Sequence, residues 1–222
     1  MGDSWPPKNI NVRKQNAVRD MIQACEDSGA VKSDASGPKQ FICPGYQYDG
    51  GDGGTKSWSS SDGITATSVL FHVIAAATGR EGPPIYIPDR TNEGYGIKPE
   101  SIDTFADDGI EVVITVDCGI TALDAAERAK ERGITLIITD HHKPPEDGIL
   151  PDCAAIVHPS LEGNPSTPFA GVGVAYQVAW AFARKWSGSK RVEEKLKNTL
   201  LDMVPLVAIG TIADMVPLTG GN

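Results

Sequence analysis

Asp140-His141-His142 directly follows the apolar run 134–139, where a buried strand would deliver side chains to the edge of a sheet. Carboxylates and imidazoles gathered at such an edge can hold a divalent cation. Asp117 ends an equivalent run, Val112-Val113-Ile114-Thr115-Val116, and the segment between the runs reads as a helix. Together they form a βαβ unit, whose parallel strands lie roughly 4.8 Å apart with their carboxyl ends at one edge, so Asp117 and His141 can converge. Asp214 is a further candidate: it interrupts the apolar stretch 206–218, where a carboxylate must be paired, hydrogen-bonded or metal-bound. An Asp and His set without thiolates suits Mn2+ or Mg2+ better than a structural zinc. Structural readings stand beside these. Asp117 could cap a helix near Ile120, Asp214 could be a buried hydrogen-bonded carboxylate, His158 before Pro159 a turn residue, and His72 a packed core histidine.

The elements that must position these residues follow from periodicity. A helical pattern runs over 12–26 through Val18, Met21, Ile22 and Cys25, then a segment dense in Gly, Ser, Asp and Lys covers 33–61, interrupted by Phe41-Ile42-Cys43. That segment is expected to be a mobile loop. A helix over 62–77, opened by Ser61 or Asp62, would bury Val69, Val73 and Ile74. A short strand at 85–87 lies between prolines, a loop with Arg90, Glu93 and Tyr95 follows, and 98–108 reads as a helix. Beyond the βαβ unit come a strand at 154–157, a buried helix at 171–186, and a helical pattern over 192–213 that Pro205 should break. Strands alternating with helices predict an α/β fold, a doubly wound and mostly parallel sheet with helices on both faces. Such a sheet binds ligands beyond the carboxyl ends of its strands, which gathers Asp117, Asp140, His141 and His142 in one cleft and makes His158 a candidate neighbour.

With 222 residues, 40% of them hydrophobic, the chain can bury a substantial core. The division expected is an N-terminal helix and mobile segment over 1–61, the helix packing on a main domain at 62–222. No apolar run approaches the roughly 20 residues that would span a bilayer, and Met1-Gly2-Asp3-Ser4 opens no secretion signal, so a cytoplasmic protein without membrane contact is expected. Cys25, Cys43, Cys118 and Cys153 form no Cys-x-x-Cys pair and read as reduced thiols. A net charge of −9 argues against an extended nucleic-acid groove, while leaving room for a phosphate site in which cations supply the positive charge.

The residues Val116-Asp117-Cys118-Gly119 and Thr139-Asp140-His141-His142, Arg90 with Glu93-Gly94-Tyr95-Gly96, the stretch from Ala170 to Ala175, and Gly210-Thr211-Ile212-Ala213-Asp214-Met215-Val216-Pro217-Leu218 occur in order from about Asp62 to the last residue. In this combination the chain resembles the DHH phosphoesterases, and within them the RecJ-type single-strand exonucleases. The resemblance implies a two-metal phosphodiesterase that uses Mn2+ or Mg2+ to activate water and offset charge on the scissile phosphate. It implies Asp117, His141 and Asp214 as metal ligands, His142 facing the phosphate, Asp140 orienting the pair, and Arg90 as a phosphate contact. The implied activity is a 5′ to 3′ exonuclease on single-stranded DNA in repair and recombination, with a replication or repair protein as a possible partner.

The chain departs from the family pattern at the first motif, Asp-x-Asp-x-Asp-Gly at a strand end. The corresponding residues are Trp58-Ser59-Ser60-Ser61-Asp62-Gly63, so Trp58 and Ser60 stand where metal-binding carboxylates are usual, and the strand expected before them reads as Gly- and Ser-rich sequence. Asp49, Asp52 and Asp62 are the available replacement ligands. Two other functions are therefore carried: a non-catalytic binding or scaffold module, and a hydrolase of a small phosphorylated molecule or short oligonucleotide.

Overall fold

The computed structural model describes residues 41–44, 58–80, 82–88, 95–161, 168–188 and 191–222. The pattern over 12–26, most of the segment 33–61, Asp49, Asp52, Arg90 and Glu93 lie outside the described residues.

Two apolar five-residue runs form the strands nearest the site, and their order in the sheet follows from the short helix that joins them. β1 (Phe41–Pro44), α1 (Trp58–Thr78), β2 (Ile85–Tyr86), α2 (Pro99–Asp107), β3 (Val112–Val116), α3 (Leu123–Glu131), β4 (Thr135–Thr139), β5 (Ala155–Val157), α4 (Gly171–Trp186), α5 (Glu194–Asp202) and α6 (Val204–Ala213) follow one another along the chain. The sheet has five strands in the order β2-β1-β3-β4-β5, and every pairing is parallel. β3 is buried at all five positions, as a strand covered on both faces must be.

Each face of the sheet carries its own core. Val112, Ile114, Val116, Ile137, Ala155 and Val157 pack with α1, α4 and α5, whereas Val113, Leu136, Ile138 and Ile156 pack with α2 and α3. The odd and even positions of β3 thus divide between the two layers, as the two-residue period of a strand requires. The sheet is doubly wound and the fold is α/β. On α3 the small residues Ala125, Ala126 and Ala129 face the sheet and let the crossover helix approach closely. α4 buries residues on nearly every side because it lies between the sheet and the other helices of its layer.

Four expectations need correction. The strand before the first motif exists: Phe41-Ile42-Cys43-Pro44 is β1, seated between β2 and β3, rather than an interruption in a loop. α1 begins at Trp58, so Asp62 lies inside the helix and does not open it. Its buried face does include Val69, Val73 and Ile74, but His72 is exposed rather than packed in the core. Finally, 194–213 is long and apolar enough, by length and composition, to cross a membrane. The stretch is broken at Met203, with Pro205 in the first turn of α6; Leu196, Leu200 and Ala213 are buried in the domain, whereas Leu201, Val204, Ile209 and Ile212 are exposed.

Candidate metal centre

The register of the central strands brings the site residues into a row. β3 and β4 pair Val116 with Thr139, and β4 and β5 pair Thr139 with Val157, so Asp117, Asp140 and His158 leave the sheet at the same level. Thr139 Oγ1 donates to the Thr115 carbonyl at 2.7 Å and ties the two strand ends together. Asp117 itself adopts φ 59°, in the left-handed region that an Asp tolerates better than most residues, and this turns the chain sharply off β3.

Asp140 organises the next turn. Its Oδ1 accepts the backbone N–H groups of His141 (2.7 Å) and His142 (3.1 Å), and its Oδ2 accepts the Ile120 N–H at 2.9 Å. The Ile120 amide is therefore satisfied by Asp140, and the reading of Asp117 as its cap does not hold. Asp140 Oδ1 also lies 2.7 Å from His142 Nδ1. Burial alone would raise the Asp140 carboxyl, but His142 and these backbone donors hold it below the usual carboxylate range.

His141 sits among three carboxylates. Its Nε2 is 3.0 Å from Asp117 Oδ1 and 3.7 Å from Asp62 Oδ2, and its Nδ1 is 3.7 Å from Asp214 Oδ2. Asp117 Oδ1 and His141 Nε2 are buried and close, yet neither has an aligned hydrogen bond. Buried polar atoms left in that state are costly unless a further group satisfies them. Asp214 adds to the imbalance, because it closes the carboxyl end of α6, where the helix dipole already disfavours negative charge. The donor set Asp62, His141 and Asp214, and its neighbour Asp117, His141 and His142, each bring three ligand atoms within 4.8 Å of one another. Oxygen and imidazole donors without thiolate are the chemistry of a Mn2+ or Mg2+ site.

The electrostatics favour positive charge among these carboxylates. Burial first, and the Asp117 charge second, raise Asp62 to about 7, while burial also pushes up Asp117 and Asp214. Burial would lower His141, but contact with Asp117 and the charges of Asp214 and Asp62 raise it to about 9. His142, held by Asp140 against the cost of its burial, is also raised. In the metal-free protein protons therefore supply the charge balance that a cation would otherwise supply.

Sequence reasoning gave Asp62 as a possible opener of its own helix and as a replacement ligand, and the structure gives it a different task. Its two oxygens accept the N–H groups of Gly171 (2.6 Å) and Val172 (2.7 Å), so it caps α4 from across the fold, where Ala170 offers no capping side chain. The same contact explains Gly171. A Cβ there would stand 2.7 Å from the Asp117 Cβ and Oδ1, inside any permitted contact. Gly171→Ala is expected to displace Asp117 and cost about 1–3 kcal/mol of stability; urea unfolding measures that loss, and an unchanged midpoint would contradict the close approach.

Tyr95, read from sequence only as part of a loop motif, reaches the site. Its hydroxyl donates to the Asp117 carbonyl at 3.1 Å and lies 3.1 Å from His142 Nδ1, with the rings edge to face. His158 is fully buried, with its Nε2 2.7 Å from the His142 carbonyl. The expected apolar burial around Asp214 is only partial, since Ile209, Ile212 and Leu218 are exposed. The sequence therefore located Asp117, Asp140, His141, His142 and Asp214, which the fold brings together. The contacts of Tyr95 and His158 emerge only with the register.

A family profile described as "DHH family, N-terminal domain" matches residues 59–211. The single-stranded-DNA-specific exonuclease RecJ of Bacillus subtilis (strain 168) is 43% identical over 164 residues, 73% of this chain and 19% of that protein. RecJ of Escherichia coli (strain K12) is 37% identical over 169 residues, 72% of this chain and 28% of that protein. This chain thus spans only a fraction of the length of these relatives. Among solved structures, an exonuclease RecJ bound to manganese superposes with a TM-score of 0.71 at 28% identity, over 98% of this chain and 47% of that one. RecJ from Thermus thermophilus in complex with Mn2+ gives 0.66 at 26% identity, over 97% and 26%. The profile covers more than half of the residues, and the chain belongs to the DHH family.

Proposed function

We propose that this chain is the metal-binding domain of a RecJ-type phosphodiesterase, with Mn2+ or Mg2+ held by Asp117, His141 and Asp214 and with single-stranded DNA or a short oligonucleotide as substrate. The observation that carries the proposal is the convergence of Asp62, Asp117 and Asp214 on one buried imidazole, with Asp117 Oδ1 and His141 Nε2 lacking aligned partners. The Mn2+-containing relatives support the choice of ion. When bound, the ion supplies Lewis acidity that lowers the pKa of water and offsets charge on a phosphate.

The protein's own groups divide the remaining work. Asp140 fixes the orientation of the His141-His142 turn through its backbone hydrogen bonds. His142, 41% exposed and held by Asp140 above its ordinary pKa against the cost of burial, presents its imidazole at the mouth of the site, where a ring N–H can meet a phosphate oxygen. The Tyr95 hydroxyl lies at the same ring nitrogen, and its ring meets that of His142 edge to face. Asp62 restrains the start of α4 and keeps one carboxylate oxygen near His141.

A second reading, a non-catalytic binding or scaffold module, is favoured by Trp58 and Ser60, which contribute no carboxylate at the first-motif positions. One experiment separates the readings: Mn2+-dependent release of nucleotides from 5′-labelled single strands, with 3′-labelled strands, dinucleotides and pyrophosphate as parallel substrates. The proposal expects hydrolysis that falls by at least about 100-fold in Asp117→Ala, in line with loss of a metal ligand. Hydrolysis of pyrophosphate alone would assign a small-molecule hydrolase. Mn2+ binding without hydrolysis of any substrate would favour the scaffold.

A further inference from the structure

We infer that His158 is a positioning residue that fixes the backbone of His142, an assignment that rests on the proposed role of His142 as the group facing the substrate phosphate.

The geometry determines which atom donates. His158 Nδ1 lies 3.1 Å from the Ser160 backbone nitrogen, which donates its N–H, so Nδ1 accepts and carries no proton. His158 Nε2 lies 2.7 Å from the His142 carbonyl oxygen, which can only accept, so Nε2 carries the proton and donates. Both partners are backbone groups with fixed roles, and together they select one neutral tautomer. Protonating both ring nitrogens would set an N–H against the Ser160 N–H. Burial holds the ring's pKa down, in keeping with that arrangement.

The placement gives the contact its purpose. β5 is the edge strand on this side, and His158 is its first residue past the sheet, level with Asp140. Asp140 grips the His141-His142 turn from the inside through the two N–H groups, and His158 grips its exit through the His142 carbonyl. The exposed His142 ring is then carried on a backbone held at both ends. Without the outer tether, the His142 side chain would keep its contacts to Asp140 and Tyr95, but the peptide that aims it would be free to rotate.

The test uses the four histidines of the 222-residue chain, 15N-labelled and free of metal. Long-range proton–nitrogen correlation at pH 7.5 is expected to show His158 as the Nε2–H tautomer; the Nδ1–H tautomer would overturn the inference without any variant. In His158→Phe, which keeps the ring volume and removes both polar atoms, the His142 amide should exchange at least about 10-fold faster and its ring signals should shift. His158→Gln, which can offer both a donor and an acceptor, should restore most of the protection, while exposed His72 on α1 serves as the internal control. In the Mn2+-loaded chain, kcat for an oligonucleotide should fall about 10–100-fold in His158→Phe with KM little changed, and recover in His158→Gln. A folded His158→Phe with unaltered His142 exchange and signals would refute the positioning role. Protected His142 with no hydrolysis in the unmodified chain would instead refute the proposed activity and leave the positioning role in place.

Discussion

In metal-free protein at pH 8, His141→Ala is expected to lower stability by about 2–4 kcal/mol, and in the presence of Mn2+ it should abolish the stabilisation that the ion confers. The imidazole stands within 4 Å of Asp62, Asp117 and Asp214 together. Asp62 and Asp117 are almost completely buried, so removing the cation between them leaves two desolvated carboxylates in mutual repulsion. The cost should shrink toward pH 5, because Asp62, raised to about 7, then carries its own proton. Urea unfolding at pH 5 and pH 8, with EDTA and with Mn2+, measures all four corners. Equal losses at both pH values would show that His141 acts through packing rather than charge.

The unmodified protein should itself become less stable as pH rises when metal is absent. His141 moves from an ordinary 6.5 to about 9 in the folded chain, so between those values the folded state keeps a proton that the unfolded state releases. Its contribution is complete below pH 6.5 and is lost as pH climbs through 9, a change of order 3 kcal/mol. Asp62, raised from 3.8 to about 7, acts in the same direction over a lower window, roughly pH 4 to 7. For a domain of this size the His141 component corresponds to a fall in Tm of roughly 6–12 °C between pH 6.5 and 9. Mn2+ should reverse the slope, since coordination requires deprotonated ligands and becomes tighter as those protons leave. Thermal unfolding against pH in EDTA and in Mn2+ checks both halves, and a flat profile in EDTA would contradict the raised His141.

Much of this site was legible because strands 112–116 and 135–139 are uninterrupted apolar runs ending in polar residues, and a short crossover helix leaves them little choice but to lie side by side. That reasoning located Asp117 beside Asp140 and carried His141 and His142 with them. Asp214 was legible as a carboxylate in apolar sequence. The first strand was less accessible: Phe41-Ile42-Cys43-Pro44 is short, lies in Gly- and Ser-rich sequence and ends in proline, so nothing local signals a strand at the middle of a sheet. Asp62 misled for a different reason. An Asp before an apolar helical pattern resembles a helix cap, but its oxygens cap α4, more than a hundred residues along the chain. His158 was legible both as a candidate neighbour of the cleft and as a turn residue, and only the β4–β5 register, with its contact to the His142 carbonyl, decides between them. His72 shows the converse, since a histidine within an apolar helix can fall on the stripe that faces water.

Pulsed electron paramagnetic resonance of Mn2+ bound to the stripped protein tests the metal centre most directly, because a coordinated imidazole nitrogen couples to the manganese spin. A nitrogen coupling that is present in the unmodified chain, lost in His141→Ala and retained in His142→Ala is the predicted result. Its absence from the unmodified chain, or its survival in His141→Ala, would contradict the assignment of His141 as the ligand at the centre of the site.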